Sequence, residues 1–207
     1  MTDKLLKEPL NLIITGVGGQ GNVLASQLLG SMLIHKGFQV TIGETYGLSQ
    51  RGGAVMSQVR ISSTGTFGPM IPFGKADLIL GLEPLEVLRT LEAYGQPDIL
   101  IVTNTRPIFP INVLSGEASY PSLEIIRNTL ESLSKRLWWV PASEWALTRG
   151  NPILTNMVML GGLSATDQIP ITLDDFIEVA QSRWAPKQIR QNIEAFEAGI
   201  QLASQLD

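Results

Sequence analysis

The chain has 207 residues, enough for one hydrophobic core, and we predict a single domain spanning residues 1–207. Its formal net charge of −4 gives no basic surface for a phosphate backbone, so we do not expect a nucleic-acid partner. Charged residues make up 16% of the chain, against about a quarter in typical domains, which indicates that a partner protein covers part of the surface.

The absence of cysteine limits the chemistry of the chain. Iron–sulfur clusters are held by thiolates, and structural zinc sites usually need them, so we expect neither in this chain. Residues 1–11 lack the basic head and long apolar stretch of a signal peptide, and no uncharged apolar run reaches the roughly 20 residues of a membrane span. These features predict a cytoplasmic protein without a membrane anchor.

The first elements are a strand, a helix and a second strand. An apolar run from Leu10 to Thr15 predicts the first strand, and a helix follows from about Gln20. Gly37 stands where a residue just past the helix C-terminus would be. Gln39 to Gly43 is the second predicted strand.

Strands and helices then alternate, and the last third of the chain is helical. Further strands are predicted at Val55 to Ile61, Leu78 to Leu82, Asp98 to Thr103 and Leu137 to Val140. Helices are predicted at Leu85 to Tyr94, Ile153 to Ala165, Leu173 to Ser182 and from Pro186 onward. The pattern predicts an α/β fold of three layers, α/β/α, with a mostly parallel central sheet and a helical C-terminal third.

The final predicted helix has one apolar stripe. Its members are Ile189, Ile193, Phe196 and Ile200. Their spacing of four, three and four residues places them on one face of the helix. This face can pack on the domain itself or on another subunit.

A glycine-rich loop follows the first strand. Gly16-Val17-Gly18-Gly19-Gln20-Gly21 has the spacing of a dinucleotide-binding fingerprint, and Glu44 stands where its ribose-binding acid would be. The same glycines also suit a tight crossover from strand to helix that binds no ligand. In either case the free N–H groups of the helix N-terminus can attract an anion.

A second glycine-rich loop argues against the dinucleotide interpretation. After Glu44 the chain does not enter a helix but continues through Arg51, Gly52 and Gly53 into another strand. If the sheet is parallel, both loops lie at the carboxyl edge of neighbouring strands and form a cradle for an anion or for a loop of another protein. Arg51 is equally consistent with an ordinary surface or interface arginine. His35 ends a helix, where a cation suits the dipole, and we do not expect it to act as a base.

Four segments together resemble a known family. They are GVGGQGNVLASQLLG from Gly16, GETYGLSQRGGAVMSQVRIS from Gly43, GKADLILGLEPLEVLR from Gly74 and NMVMLGGLSA from Asn156. In this order they resemble the gamma domain of pyruvate and other 2-oxoacid:ferredoxin oxidoreductases, most of all the indolepyruvate-type members in which this domain is a separate chain. The paired loops are far more specific than a lone glycine fingerprint. The segment from Ile61 to Phe73 departs from the family pattern.

The resemblance implies a subunit that acts only within a larger enzyme. That enzyme oxidatively decarboxylates a 2-oxoacid to an acyl-coenzyme A and reduces ferredoxin, using thiamine diphosphate, Mg²⁺ and [4Fe-4S] clusters. The resemblance assigns these cofactors to a large partner subunit and none to this chain. It implies a role in binding an anion or coenzyme A, or in contacting the partner, for a set of residues in the loops and one later helix. They are Gly16, Gly18, Gly19, Gln20, Gly21, Asn22, Arg51, Gly52, Gly53 and Asn156. No catalytic residue and no metal ligand is implied.

Three classes of function stay open at this point. The first is the oxidoreductase subunit, and the second is an independent nicotinamide- or flavin-binding protein that uses the glycine loop. The third is a relative that has lost catalysis and serves a structural or regulatory role. Whether the isolated chain forms a homodimer, and which 2-oxoacid the enzyme takes, stay open as well.

Overall fold

The computed structural model describes residues 5–46 and 53–206, without the side chain of Tyr46. Within these residues six strands form one sheet. The strands are β1 (Leu10–Val17), β2 (Gln39–Tyr46), β3 (Ala54–Ser62), β4 (Leu78–Gly81), β5 (Leu100–Asn104) and β6 (Arg136–Val140). The helices are α1 (Asn22–His35), α2 (Pro84–Tyr94), α3 (Ile111–Leu114), α4 (Leu123–Leu133), α5 (Ala142–Thr148), α6 (Thr155–Ala165), α7 (Leu173–Arg183) and α8 (Pro186–Ser204). A 3₁₀ turn, Pro152–Leu154, precedes α6.

The sheet is mixed, with strand order β2-β3-β1-β4-β5-β6. β1, β4, β5 and β6 run parallel, whereas β3 is antiparallel to both β1 and β2. The prediction that the first two strands are neighbours was therefore wrong, because β3 lies between them. Since two reversals restore the strand direction, β1 and β2 still end at the same edge of the sheet.

Helices cover both faces of the sheet, which confirms the predicted three layers. One face packs against α1, α6, α7 and α8 in the larger core, where Trp138 is buried. The other face packs against α2 and α4 in a smaller core. Trp139, the next residue along β6, packs on that smaller core, because successive side chains of a strand point to opposite faces.

The segment from Ile61 to Phe73 ends in a strap over the sheet, residues 67–73. A Cβ on Gly43 of β2 would lie 3.0 Å from Pro69, so the strap lies directly on that strand. The buried Gln58 side chain accepts a hydrogen bond from the Ile71 N–H through Oε1, and Arg60 donates to the Gly68 carbonyl. Side chains of β3 thus bind the backbone of the strap, which covers part of the sheet where no helix lies.

The apolar stripe of α8 packs on this domain and not outward. Phe196 is buried, and Ile189, Ile193 and Ile200 pack against the larger core. Glycines bring α8 close to α6: a Cβ on Gly161 would lie 1.9 Å from the Phe196 carbonyl oxygen, and a Cβ on Gly199 would lie 1.9 Å from the Val158 carbonyl oxygen. Any larger side chain at either glycine would force the two helices apart.

Most predicted elements are present, with ends shifted by a few residues. Pro84 is the first residue of α2, and Thr172 caps α7 in a reciprocal pair of hydrogen bonds with Asp175. The sequence analysis did not place α3, α4 or α5. Among the described residues no helix is long and apolar enough to cross a membrane.

Candidate functional site

The glycine loop after β1 is a tight turn that leads into α1. Gly19 and Gly21 have φ values of 97° and 83°, in the left-handed region that favours glycine. Gly21 occupies the N-cap position of α1. Because glycine has no side chain, no side-chain hydrogen bond caps this helix. The first turn of α1 contains no acidic residue, so the positive end of the helix dipole is not neutralised there.

Gln20 fixes the loop from inside. Its Oε1 accepts a hydrogen bond of 2.8 Å from the Val17 N–H, and its Nε2 donates one of 2.8 Å to the Leu82 carbonyl. A Cβ on Gly16 would lie 2.5 Å from Gln20 Oε1, so glycine is needed there to make room for the amide. The side chain of Gln20 therefore serves the architecture of the loop.

The first glycine loop contacts Gly53, the residue just before β3. The Gly18 N–H donates a hydrogen bond of 2.9 Å to the Gly53 carbonyl, at the point where the second loop enters β3. Arg51 and Gly52 lie outside the described residues.

Asn156, at the start of α6, contacts the glycine loop directly. It is 3% exposed, and its Nδ2 donates a hydrogen bond of 3.3 Å to the Gly21 carbonyl. A Cβ on Gly21 would lie 2.3 Å from the same nitrogen, so the contact requires glycine. The structure brings together these two predicted residues although 135 positions separate them.

Asn22 lies behind the loop. Its buried side chain points toward the sheet, with Nδ2 3.4 Å from the Ile14 carbonyl and 3.3 Å from that of Val55. Among the described residues its Oδ1 has no hydrogen-bond partner. Asn22 thus joins α1 to β1 and β3 and does not line a surface.

A cleft of about 380 Å³ opens beside the loop at the carboxyl edge of the sheet. The wall formed by the loop and the start of α1 and α6 has as lining residues Gly19, Gln20, Gly21, Leu24, Thr155 and Asn156. The other walls come from the chain after β5, from α5 and from the 3₁₀ turn. Their lining residues are Arg106, Ile108, Ser143, Leu147, Pro152 and Ile153. The cleft therefore has both polar and apolar lining residues.

Arg106 is the cation of this cleft. Its side chain is exposed, and within the described residues no acidic side chain forms a salt bridge with it. With the uncapped N-terminus of α1 on the facing wall, two sources of positive potential lie on the same cleft. This arrangement suits an anionic group.

Leu82 and Asn104 connect three elements beneath the cleft. The Leu82 carbonyl accepts hydrogen bonds from Gln20 Nε2 and, at 3.1 Å, from Asn104 Nδ2. The fully buried Asn104 side chain also accepts from the Ser143 N–H and donates to the Ser143 hydroxyl. The glycine loop, the end of β5 and the start of α5 are thus joined at one carbonyl.

Glu83, the next residue, connects the remaining wall. It is 1% exposed, and its Oε2 accepts from the Glu86 N–H, which caps α2. Its Oε1 accepts from the Ile108 N–H at 3.3 Å and from the Tyr120 hydroxyl. We call residues 105–121 the lobe. This buried carboxylate holds the lobe to the edge of the sheet at Ile108 and Tyr120, and Thr105 holds its start, since its N–H donates to the Val140 carbonyl and its hydroxyl donates to the Glu144 carboxylate.

Burial shifts two acid–base groups next to Glu83. Burial, together with the hydrogen bond to Glu83, raises the pKa of Tyr120, so its hydroxyl stays a donor at physiological pH. Burial also raises the pKa of Glu86; the guanidinium of Arg89 opposes this shift, and the Glu83 carboxylate adds to it. No group of three or more His, Cys, Asp or Glu side chains among the described residues can hold a metal ion.

Glu44 does not stand where a dinucleotide would need it. In a dinucleotide fold, the acid that binds the ribose follows the strand next to β1, but here β3 separates β1 from β2 by two strand spacings, roughly 10 Å. The Glu44 carboxylate instead accepts hydrogen bonds from the Ser26 and Ser57 hydroxyls. The geometry disfavours the nicotinamide interpretation.

The residues of the outer walls of the cleft were not predicted from the sequence. Glu83, Asn104, Arg106 and Ser143 were not among the predicted site residues, although Glu83 lies inside one of the family-like segments. One signal was available: Asn104 and Arg106 follow a parallel strand, and ligands of such sheets bind at the carboxyl ends of strands. The contacts of the lobe could not be read from the sequence because they depend on a carboxylate more than twenty residues away.

Known proteins share both the sequence and the fold of this chain. The family described as pyruvate ferredoxin/flavodoxin oxidoreductase matches residues 11–202. The indolepyruvate oxidoreductase subunit IorB of Pyrococcus horikoshii is 40% identical over 197 residues, which are 95% of this chain and 96% of that protein. The pyruvate oxidoreductase subunit PORC of Thermotoga maritima superimposes with a TM-score of 0.70 at 19% identity, over 95% of this chain and 97% of that one.

A longer protein contains the same fold as one part. The 2-oxoglutarate:ferredoxin oxidoreductase of Magnetococcus marinus, solved with 2-oxoglutarate, coenzyme A and succinyl-CoA bound, superimposes with a TM-score of 0.77 at 21% identity. The match covers 97% of this chain but 32% of that one. The likeness of the folds, the family match over residues 11–202 and the 40% identity to IorB agree. The chain belongs to the pyruvate ferredoxin/flavodoxin oxidoreductase family.

Proposed function

We propose that the chain is the small subunit of an indolepyruvate-type 2-oxoacid:ferredoxin oxidoreductase. The enzyme would convert a 2-oxoacid and coenzyme A to an acyl-coenzyme A and CO₂, and pass two electrons to ferredoxin. The observation that carries the proposal is the identity of 40% to a subunit of indolepyruvate oxidoreductase over nearly the whole of both chains. Because this chain has no cysteine, the [4Fe-4S] clusters would be held by the large subunit, together with thiamine diphosphate and Mg²⁺.

Assembly with the large subunit tests this proposal. The chain is tagged and co-expressed without oxygen with the large subunit from the same organism, and the purified material is examined by size exclusion and absorbance. We expect a stoichiometric brown complex, and a colourless protein when the chain is expressed alone. A tagged chain that never retains the large subunit, or that contains an iron–sulfur cluster by itself, would contradict the proposal.

We also propose that the cleft beside the glycine loop binds the coenzyme A of this reaction. Coenzyme A is a long ligand with phosphate groups and an extended, less polar arm. The uncapped α1 N-terminus and Arg106 suit the phosphates, while Ile108, Leu147 and Ile153 suit the arm. The other interpretation, contact with the large subunit, makes a different prediction for the same variants.

Arginine variants of the assembled enzyme separate these two interpretations. If Arg106 meets a phosphate, Arg106→Ala should raise the KM for coenzyme A by at least about tenfold, because charge-assisted hydrogen bonds contribute about 1.5–3 kcal/mol. Arg51→Ala belongs in the same series, since the sequence places Arg51 in the second loop. Arg127→Ala, on the exposed face of α4, is the matched control.

The result is read from the KM and from the assembly. An unchanged KM in the saturated complex, together with weaker association of the subunits, would show that Arg106 contacts the partner and not the coenzyme. An unchanged KM with normal association would contradict both interpretations. Saturable binding of NADH by the wild-type chain would instead favour the dinucleotide alternative.

A further inference from the structure

Three of the walls of the cleft, the glycine loop, α5 and the lobe, are bound to two consecutive residues, Leu82 and Glu83. The Leu82 carbonyl holds the glycine loop through Gln20 and holds α5 through Asn104 and Ser143. The Glu83 carboxylate holds the lobe through Ile108 and Tyr120. Both residues directly follow β4, which is paired with a parallel strand on each side, so the sheet fixes their position.

The carboxylate of Glu83 has two separate tasks. Oε2 caps α2 through the Glu86 N–H, which is a local interaction common at helix starts. Oε1 binds only the lobe, at two points that lie 25 and 37 residues further along the chain. Capping of α2 needs only one side-chain oxygen, so the bonds of Oε1 to the lobe are a separate contribution of Glu83.

The lobe needs such an anchor because few of its apolar side chains are buried. Ile111 is 85% exposed and Leu114 is 71% exposed, so the middle of the lobe has little hydrophobic packing to hold it in place. Phe109 packs edge-to-face on Tyr120, the residue that donates to Glu83. Ile108, which lines the cleft, donates to Glu83 through its N–H. Arg106, which also lines the cleft, lies between this bond and the bonds of Thr105 to Val140 and Glu144.

We propose that Glu83 is a positioning residue for ligand binding in the cleft: through the Ile108 N–H and the Tyr120 hydroxyl it sets where Arg106 and Ile108 stand against the glycine loop. The effect of Glu83 on the KM for coenzyme A rests on the function proposed above. Its effect on the position of the lobe does not, and the two are measured separately.

Glu83→Gln is the principal variant. Its amide oxygen can keep the cap on α2, while its NH₂ group would face the Ile108 N–H, which is also a donor. The variant thus removes the bond to the Ile108 N–H with little change in shape, while the Tyr120 hydroxyl can turn and accept from the new NH₂ group. Tyr120→Phe is the complementary variant, which removes the bond to Tyr120 and keeps the bond to Ile108 and the charge. Tyr94→Phe is the control: Tyr94 is 9% exposed, and its hydroxyl accepts a hydrogen bond from Gln58 away from the cleft.

The position of the lobe is measured with spin labels, which the absence of native cysteine makes straightforward. Labels are placed at Ile111→Cys on the lobe and at Ile153→Cys on the facing wall, both at exposed positions. Pulsed dipolar spectroscopy of the isolated chain should give one narrow distance distribution in the wild type and in Tyr94→Phe. Glu83→Gln and Tyr120→Phe should each give a broader or shifted distribution. A reference pair, Ile34→Cys with Ile153→Cys, should stay unchanged in all of them.

The assembled enzyme supplies the second readout. We expect Glu83→Gln to raise the KM for coenzyme A about fivefold, since a hydrogen bond contributes about 1 kcal/mol net, and to leave kcat within about twofold. Tyr94→Phe should leave both constants unchanged. A variant that lost only stability would lower the amount of active complex and leave the KM unchanged.

Two results would overturn the proposal. One is a distance distribution that is identical in the wild type, Glu83→Gln and Tyr120→Phe, which would show that the carboxylate does not position the lobe. The other is a displaced lobe with an unchanged KM, which would show that its position does not matter to the ligand. If Glu83→Gln does not fold, Tyr120→Phe decides alone by the same criteria. If the wild-type complex shows no coenzyme A-dependent turnover, the proposed function fails, and the distance measurement still reports on the anchor.

Discussion

Single residues set the shape of the cleft, and Gly21 shows how. The residue has a positive φ, and a Cβ there would meet the amide of Asn156 at 2.3 Å. From the sequence, Gly21 was predicted to belong to a tight turn, and Asn156 was named a site residue from the family resemblance. Their contact could not be predicted, because nothing in either segment indicates that the start of α6 lies on the first loop.

Substitution of Gly21 by alanine separates backbone strain from this contact. Gly37 also has a positive φ, of 87°, but no atom lies within 4 Å of a Cβ placed there. We expect Gly37→Ala to cost about 1 kcal/mol of unfolding free energy and Gly21→Ala about 1 kcal/mol more. Urea unfolding measures both. In Asn156→Ala the extra cost of Gly21→Ala should vanish; its persistence there would show that Asn156 is not the cause.

Glu86 predicts a pH dependence of stability. Burial, opposed by Arg89 and aided by Glu83, raises its pKa above the usual 4.5, so the folded chain holds this proton more tightly than the unfolded chain does. The carboxylate therefore adds no penalty below pH 4.5 and destabilises the fold as the pH rises through its folded pKa. Relative to the wild type, Glu86→Gln should become more stable as the pH is raised through this window. Urea unfolding along a pH series measures the difference, and a difference that does not change with pH would contradict the assignment.

At the scale of elements, sequence periodicity predicted features within one segment but not the pairing of distant segments. The apolar stripe of α8 and the Thr172 cap of α7 follow from spacing within one segment, and both are present. The insertion of β3 between β1 and β2 was missed, because pairing of strands is decided by contacts between distant segments. The helix α4 was not placed, although Ser122 caps it and its buried residues, Ile126 and Leu130, have helical spacing.

Two adjacent glycines of α6 give a matched test of how this helix packs on α8. A Cβ on Gly161 would overlap the Phe196 backbone, whereas the atom nearest to a Cβ on Gly162 lies at 3.6 Å. We expect Gly161→Ala to cost about 3 kcal/mol or more, because a backbone must move. Gly162→Ala should be neutral, or should stabilise the helix by up to about 1 kcal/mol. Equal unfolding free energies for the two variants would contradict the close approach of the helices.

At the scale of the whole molecule, the features of the candidate site lie together at the carboxyl edge of the sheet. Parallel strands β1, β4 and β5 end there: the glycine loop follows β1, the Leu82–Glu83 pair follows β4, and Asn104 is the last residue of β5. Buried hydrogen bonds hold the loops at this edge, and exposed side chains of the lobe lie beside them.

Reconstituted turnover tests the central claim most directly. The purified large subunit and this chain are combined without oxygen, and reduction of a viologen dye is followed with indolepyruvate and coenzyme A present. We predict that reduction needs both chains, the 2-oxoacid and coenzyme A, and that its rate saturates at equal amounts of the two chains. Full activity of the large subunit without this chain, or no activity of a stable complex with any 2-oxoacid, would contradict the account.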